Sequence, residues 1–327
     1  LVEKGLMATV TLARHAMATR FEIVLHGESP VALRAAGEEA LDEIDRLENQ
    51  LSLYRPTSEI AHLNAKAARG PVRVTPSLFA LLEKARRLYQ ETRGAFDITI
   101  APLVRCWGFI DGTGRLPEAA EVEEARSMVG MHLVQLHPED FTVEFAREGV
   151  MLDLGAIGKG YAIERAAELL REAGITSALI HGGTSSIAAI GQPPDAEAWK
   201  VALEKPYLQK GKNIAEEDLL ASVPLKDEAM SVSAVWGKAF QAEGKNYGHV
   251  IDPRTGAPTT AALMAAVVTV SATETDALST ALLTLGAQGH ADIAKLRPGM
   301  RTLLVTGTAG SFHAESNGIP VRSELLG

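Results

Sequence analysis

Two segments of the last third carry residue types that do chemistry together. Gly248-His249-Val250-Ile251-Asp252-Pro253-Arg254-Thr255-Gly256 sets a histidine just before a turn, where proline pre-sets one backbone angle and glycine supplies a positive φ. A histidine at a strand end is a candidate general base or phosphate ligand. Some twenty residues on, Thr275-Asp276-Ala277-Leu278-Ser279-Thr280-Ala281 places Asp276 and Thr280 one turn apart on a helix. A carboxylate and a hydroxyl on one face are hard oxygen ligands of the kind Mg²⁺ accepts. Seen alone, Thr273-x-x-Asp276 reads as a capping box, with the aspartate simply favouring the helix start.

Two further segments belong beside these. Asp153-Leu154-Gly155-Ala156-Ile157-Gly158-Lys159-Gly160 puts a carboxylate at a strand end, then glycines and a lysine opening a helix. Such a turn suits an anion, because glycines admit close backbone approach and the helix N-terminus is positive. It matches neither the P-loop nor the dinucleotide fingerprint, so a structural turn is an equal reading. Gly94-Ala95-Phe96-Asp97 offers a ring that could stack and a carboxylate that could accept from a heterocycle, against a core phenylalanine and a capping aspartate. Of the other histidines, His181 beside Gly182-Gly183 is ambiguous and the rest read as structural or surface.

The elements that must position these residues follow from periodicity. Phe21–Leu25 reads as a strand and Val31–Leu51 as an amphipathic helix with Leu41, Ile44, Leu47 and Leu51 on one face. Thr75 and Pro76 open a helix to Gln90, and another follows Pro117 behind a solvated acidic run. Gly94–Ile100 is a turn into a short strand or helix start. Val150–Leu154 reads as a strand, Tyr161–Ala173 as a helix and Ser177–Ile180 as a returning strand. Lys205–Asp227 reads as an exposed polar excursion. Strands at Tyr247–Ile251, Ala265–Val270 and Thr302–Val305 then alternate with a helix at Asp276–Leu285. The pattern is α+β, mixed β-sheets with interspersed helices, rather than repeating βαβ units.

Bulk properties narrow the partners. With 46% hydrophobic residues, the 327-residue chain can bury a large core. A net charge of −9 argues against nucleic acid or an anionic membrane surface as partner. An anionic ligand must then be held by single cations, dipoles or a metal. The lone Cys106, in an apolar run, reads as a small buried hydrophobe. No stretch approaches membrane-span length. The chain opens on Leu1, which leaves open a removed signal or anchor and a native start at Met7.

In order, these pieces resemble the FAD:protein FMN transferase family, the ApbE-like flavin transferases. The resemblance is carried by Met17-Ala18-Thr19-Arg20-Phe21-Glu22-Ile23, Leu51-Ser52-Leu53-Tyr54, Ser58-Glu59-Ile60, Leu63-Asn64, Gly94 to Thr99, Pro102-Leu103 and Trp107-Gly108-Phe109. Asp153 to Tyr161, Gly182-Gly183, His249 to Gly256 and Asp276 to Gly286 complete it. It implies residues 1–16 as an N-terminal tail and 17–327 as one ApbE-like domain. It also implies FAD contacts from Met17, Tyr54, Ala95, Phe96, Asp97, Asp153, Lys159 and Ile251. Mg²⁺ would be held by Asp276, Thr280 and the Ala156 carbonyl, with His249 associated with catalysis. The implied reaction passes FMN from FAD to a threonine or serine of an acceptor flavoprotein, releasing AMP. The implied acceptor is a membrane-associated redox subunit, met in the periplasm or cell envelope by an enzyme often lipid-anchored there. An FAD pyrophosphatase and a non-catalytic FAD binder remain the alternative readings. Departures from the family pattern are Ala18 after Met17, Val232-Ser233-Ala234-Val235 where Thr-Ser-Gly-Asp/Asn is usual, and Thr184 after Gly182-Gly183.

Overall fold

The computed structural model describes residues 7–206 and 215–322, apart from 111, 113 and 309. The chain begins with β1 (Ala8–Ala16), β2 (Thr19–Gly27) and α1 (Pro30–Leu51). It continues through α2 (Glu59–Lys66), β3 (Val72–Arg73), α3 (Pro76–Glu91), α4 (Ala101–Cys106) and α5 (Ala119–Arg126). The middle holds β4 (Val134–His137), β5 (Thr142–Phe145), α6 (Gly158–Glu172), β6 (Ala178–Gly182), β7 (Ser186–Ile190) and β8 (Trp199–Glu204). Then come β9 (Leu219–Leu225), β10 (Ala229–Ala234), β11 (Ala239–Ala242), β12 (Lys245–Gly248) and β13 (Met264–Thr269). The chain closes with α7 (Ala272–Leu285), α8 (Ala287–Ile293), β14 (Arg301–Thr308) and β15 (Ser311–Asn317).

One eight-stranded sheet organises the molecule, in the order β1-β2-β6-β7-β10-β13-β14-β15, with antiparallel neighbours throughout. Its inner strand β13, Met-Ala-Ala-Val-Val-Thr, is buried at every position, as a strand covered on both faces must be. The main core on one face takes in α1, α3, α6 and α7, and a second core on the other face lies under the β8–β9 hairpin. A small third core forms around α4 from Leu103, Trp107, Phe109 and Ile251. The α+β expectation stands. α1 and α3 start where expected: Ser29 accepts from the Ala32 amide at 3.3 Å and Thr75 from Leu78 at 3.4 Å, each with proline next.

Several expectations are corrected. The stretch read as a tail is, from Ala8 onward, edge strand β1. It turns into β2 through Met17 and Ala18, both at positive φ (49° and 57°), the primed two-residue turn that suits strand twist. Val150–Leu154 forms no strand; its backbone ties to neighbouring segments instead, Asp153 N donating to Ile98 O at 2.7 Å. The polar excursion includes β9, paired with β8, because Leu220, Val223 and Leu225 are buried in the second core; residues 207–214 lie outside the described set. Tyr247–Ile251 is the end of a hairpin, β11–β12, whose two-residue loop is Glu243-Gly244.

Candidate functional site

Asp276 is not a cap. The N-cap of α7 is Ser271, whose hydroxyl accepts from Glu274 N at 3.2 Å, so Asp276 lies inside the helix and is 4% exposed. Its position is set by how α6 meets α7. A Cβ on Gly160 would come 2.1 Å from Ala272 O and 2.7 Å from Asp276 Cβ, so only glycine permits the approach. With the helices that close, Asp276 Oδ2 accepts from Gly160 N at 2.9 Å. The carboxylate therefore docks on the positive N-terminal turn of α6. Oδ1 takes the Ser186 hydroxyl at 3.4 Å and has the Lys159 ammonium 3.9 Å away.

Thr280 lies one turn along, its hydroxyl 3.3 Å from Asp276 O and 3.2 Å from Ser233 Oγ. Ser233 also meets Ser279 at 2.9 Å, and Ser231 meets Thr275 at 2.9 Å, so β10 and α7 are joined by hydroxyls. Ala156 sits in the turn before α6, between Gly155 and the buried Ile157. Asp276, Thr280 and the Ala156 carbonyl are all hard oxygen donors, and a cation already lies near the carboxylate in the form of Lys159. In donor chemistry the set fits Mg²⁺, which binds through one or two carboxylates plus waters and phosphate oxygens. Among the described residues no three His, Cys, Asp or Glu side chains form a metal cluster. A site with a single carboxylate contains no such cluster.

Asp153 faces the same place. Its Oδ1 accepts from Gly155 N at 2.8 Å. Burial pushes its carboxyl up, opposed by that hydrogen bond and by the nearby Lys159 and Lys238. Tyr54, 61% exposed, has its phenol pushed up by burial of the hydroxyl and by the Asp153 charge. An exposed ring beside the turn is a candidate stacking surface for a heterocycle.

His249 stands on the same electrostatic map. Its Nδ1 is 3.1 Å from Lys238 O, and its backbone N donates to that oxygen at 3.0 Å. A carbonyl only accepts, so the neutral ring carries its proton on Nδ1 and leaves Nε2 as the free base. Burial lowers the imidazole's basicity and the Lys238 and Lys159 cations lower it further, against the Lys238 carbonyl, which raises it. The following turn is rigid. Arg254 N and Nε donate to Asp252 Oδ1 at 2.9 Å each, and Trp107 Nε1 donates to Gly256 O at 2.8 Å.

The structure thus gathers Tyr54, Asp153, Lys159, His249, Asp276 and Thr280, but treats other expected contacts differently. Phe96 is 1% exposed and packed in the main core, so it offers no stacking face; Ala95, 2% exposed, lies with it. Asp97 is buried, takes Thr99 N and Oγ1 on Oδ1 at 2.8 and 2.6 Å, and is pushed up by burial to about 6. Ile251 is in the third core and Met17 packs on the main one from the β1–β2 turn. Any ligand contact from Ala95, Phe96 or Ile251 runs through backbone. Sequence reasoning missed Lys238, whose carbonyl orients the histidine, and Ser186, which reaches Asp276 from β7. Neither carries a spacing signal; only the fold brings them in.

A model of the ApbE family matches residues 17–304. The chain belongs to the ApbE family. A FAD:protein FMN transferase of Klebsiella pneumoniae (strain 342) is 30% identical over 261 residues, 78% of this chain and 71% of the relative. Another of that name from Treponema pallidum (strain Nichols) is 29% identical over 301 residues, 88% and 82%. The apo crystal structure of Pseudomonas stutzeri flavinyl transferase ApbE matches at TM-score 0.82 and 26% identity over 95% of each chain.

Proposed function

We propose that this ApbE-family chain transfers the FMN half of FAD to a threonine or serine hydroxyl of an acceptor flavoprotein, in a Mg²⁺-dependent reaction that releases AMP. One arrangement carries the reading: the Asp276 carboxylate docked on the N-terminus of α6 beside Lys159, with a neutral His249 influenced by the same lysine. The names of the relatives support it.

The acceptor oxygen bonds to the phosphorus next to riboflavin, and the bond from that phosphorus to the bridging oxygen breaks. The bridging oxygen leaves on AMP, and the hydroxyl proton passes to His249 Nε2. The N-terminal turn of α6 and Lys159 hold the pyrophosphate. Asp276, Thr280 and the Ala156 carbonyl would hold Mg²⁺, which when bound supplies charge neutralisation on the phosphates. Tyr54 offers a ring face to a flavin or adenine. Most of the acceleration is positioning and charge stabilisation. In line with the resemblance, we place the reaction on a membrane-associated redox subunit at the cell envelope.

The test is intact-mass measurement of a candidate acceptor domain incubated with the protein, FAD and Mg²⁺. The reading expects a gain equal to one FMN phosphoester, stoichiometric AMP, and loss of both with EDTA. AMP without modified acceptor would make water the acceptor and the protein a pyrophosphatase; neither product would leave a flavin binder.

A further inference from the structure

His249 sits between two small structures, and both end on Trp107. On its N-terminal side, β11 and β12 form a hairpin in which Ala239 pairs with Gly248, so Lys238 and His249 are the next residues outward. Two strands of four residues do not hold together unaided. Here the support is aromatic. Phe240 and Tyr247 stack at 5.3 Å and 19°, Tyr247 meets Trp107 at 5.5 Å, and Phe240 meets Phe109 at 5.6 Å. Space for this was made: a Cβ on Gly114 would fall 2.3 Å from Phe240 Cδ1. On the C-terminal side, the Asp252–Gly256 turn is tied to the same residue, Trp107 Nε1 donating to Gly256 O at 2.8 Å.

We propose that Trp107, with Phe240 and Tyr247, is a positioning anchor for His249. By fixing hairpin and turn together, it keeps the Lys238 carbonyl on Nδ1 and so presents Nε2 to the reacting hydroxyl. The three aromatic residues act only through the histidine. The identity of that hydroxyl rests on the transferase reading above; the orientation of the ring does not.

The experiment reads the ring directly. Long-range ¹H–¹⁵N spectra of ¹⁵N-histidine protein report which ring nitrogen is protonated, and the His249→Gln variant identifies the His249 signals. Wild type is expected to show one tautomer, protonated at Nδ1. Phe240→Leu should show both tautomers, with kcat for acceptor modification down about tenfold, a partial loss of the roughly 10²–10⁴-fold that a positioned base contributes. Its KM for FAD should change less than twofold. Phe240→Tyr, which keeps the ring, should restore both readouts. Gly114→Ala drives a methyl against Phe240 without changing any residue of the hairpin and should resemble Phe240→Leu; thermal melts establish that each variant is folded. A wild-type ring protonated at Nε2, or an unchanged single tautomer in both Phe240→Leu and Gly114→Ala, overturns the proposal. So does a rise in KM for FAD with kcat unaltered. Normal tautomer behaviour in a wild type that modifies no acceptor would overturn the transferase reading and leave the anchor standing.

Discussion

Asp276 is buried yet leaves one oxygen lightly used. Oδ2 is committed to Gly160 N at 2.9 Å, whereas Oδ1 has only Ser186 at 3.4 Å and Lys159 at 3.9 Å. A carboxylate placed this way keeps capacity for a further cation. Asp276→Asn keeps an acceptor for Gly160 but loses the charge. It should lower Mg²⁺-dependent transfer by about two orders of magnitude, the scale of losing one well-placed electrostatic group. Acceptor mass gain against Mg²⁺ concentration checks this, and undiminished transfer would refute the metal assignment. His249 gives a second residue-scale prediction. Burial and two neighbouring lysines hold its folded-state pKa below the ordinary 6.5. The base is the neutral form, so kcat/KM rises with pH through that pKa and is flat above it. The acid limb should therefore lie below pH 6.5 and vanish in His249→Gln, where only the residual rate remains. A limb above pH 6.5 would contradict the arrangement of cations around the ring.

At the scale of elements, the site is made by one helix crossing. α6 and α7 touch at Gly160, and a few residues on Glu164 clasps the start of α7, accepting from the Ser271 hydroxyl and from Thr273 N at 2.9 Å. Lys84 of α3 closes on the same carboxylate at 3.3 Å. Gly160→Ala must push the helices apart, because its methyl would overlap Ala272 O. Overpacking of this kind costs about 1–3 kcal/mol. The denaturant midpoint should fall by a corresponding amount, and Mg²⁺-dependent transfer should fall further than stability alone explains, since Asp276 moves with α7. The crossing also shows what the sequence could and could not tell. Thr75-Pro76 announced its helix because capping is local. Thr273-x-x-Asp276 misled for the same reason: the pattern is local, and the true start at Ser271 is reinforced by Glu164 from another helix. Asp153, Lys159, His249 and Asp276 were legible as chemistry-bearing types beside turns and helix starts. Lys238 and Ser186 were not, because a backbone carbonyl and a single hydroxyl carry no pattern of their own. The β11–β12 hairpin did leave a trace in Glu243-Gly244, a primed-turn pair with φ of 50° and 74°.

For the whole molecule, the eight-stranded sheet is the frame against which α6 and α7 are pressed, and its outermost strand is the segment first read as a tail. β1 pairs with β2 from Ala8↔Gly27 to Ala16↔Thr19, buries Val10, Leu12 and Ala16, and packs on α1. Contact with α1 is close enough that a Cβ on Gly37 would lie 2.5 Å from Leu12 Cδ1. Arg14 adds ion pairs to Glu38, Asp42 and Asp45 of α1, though partners this exposed contribute at most about 1 kcal/mol each. Burial matters more, at about 1.5–3 kcal/mol for each large apolar side chain. Removing β1 would also leave β2 unpaired on one edge and strip the Leu12 cover from Gly37 on α1. A chain starting at Met17, where the family match begins, is therefore expected to lose several kcal/mol. Its melting temperature should fall by about 10 °C or more, or it should aggregate through the exposed edge. Equal melting of the two chains would show that β1 is dispensable and restore its reading as a tail. A lower melting temperature with full transfer at low temperature would place β1 in stability alone, which is what its distance along the sheet from β7 and β10 implies.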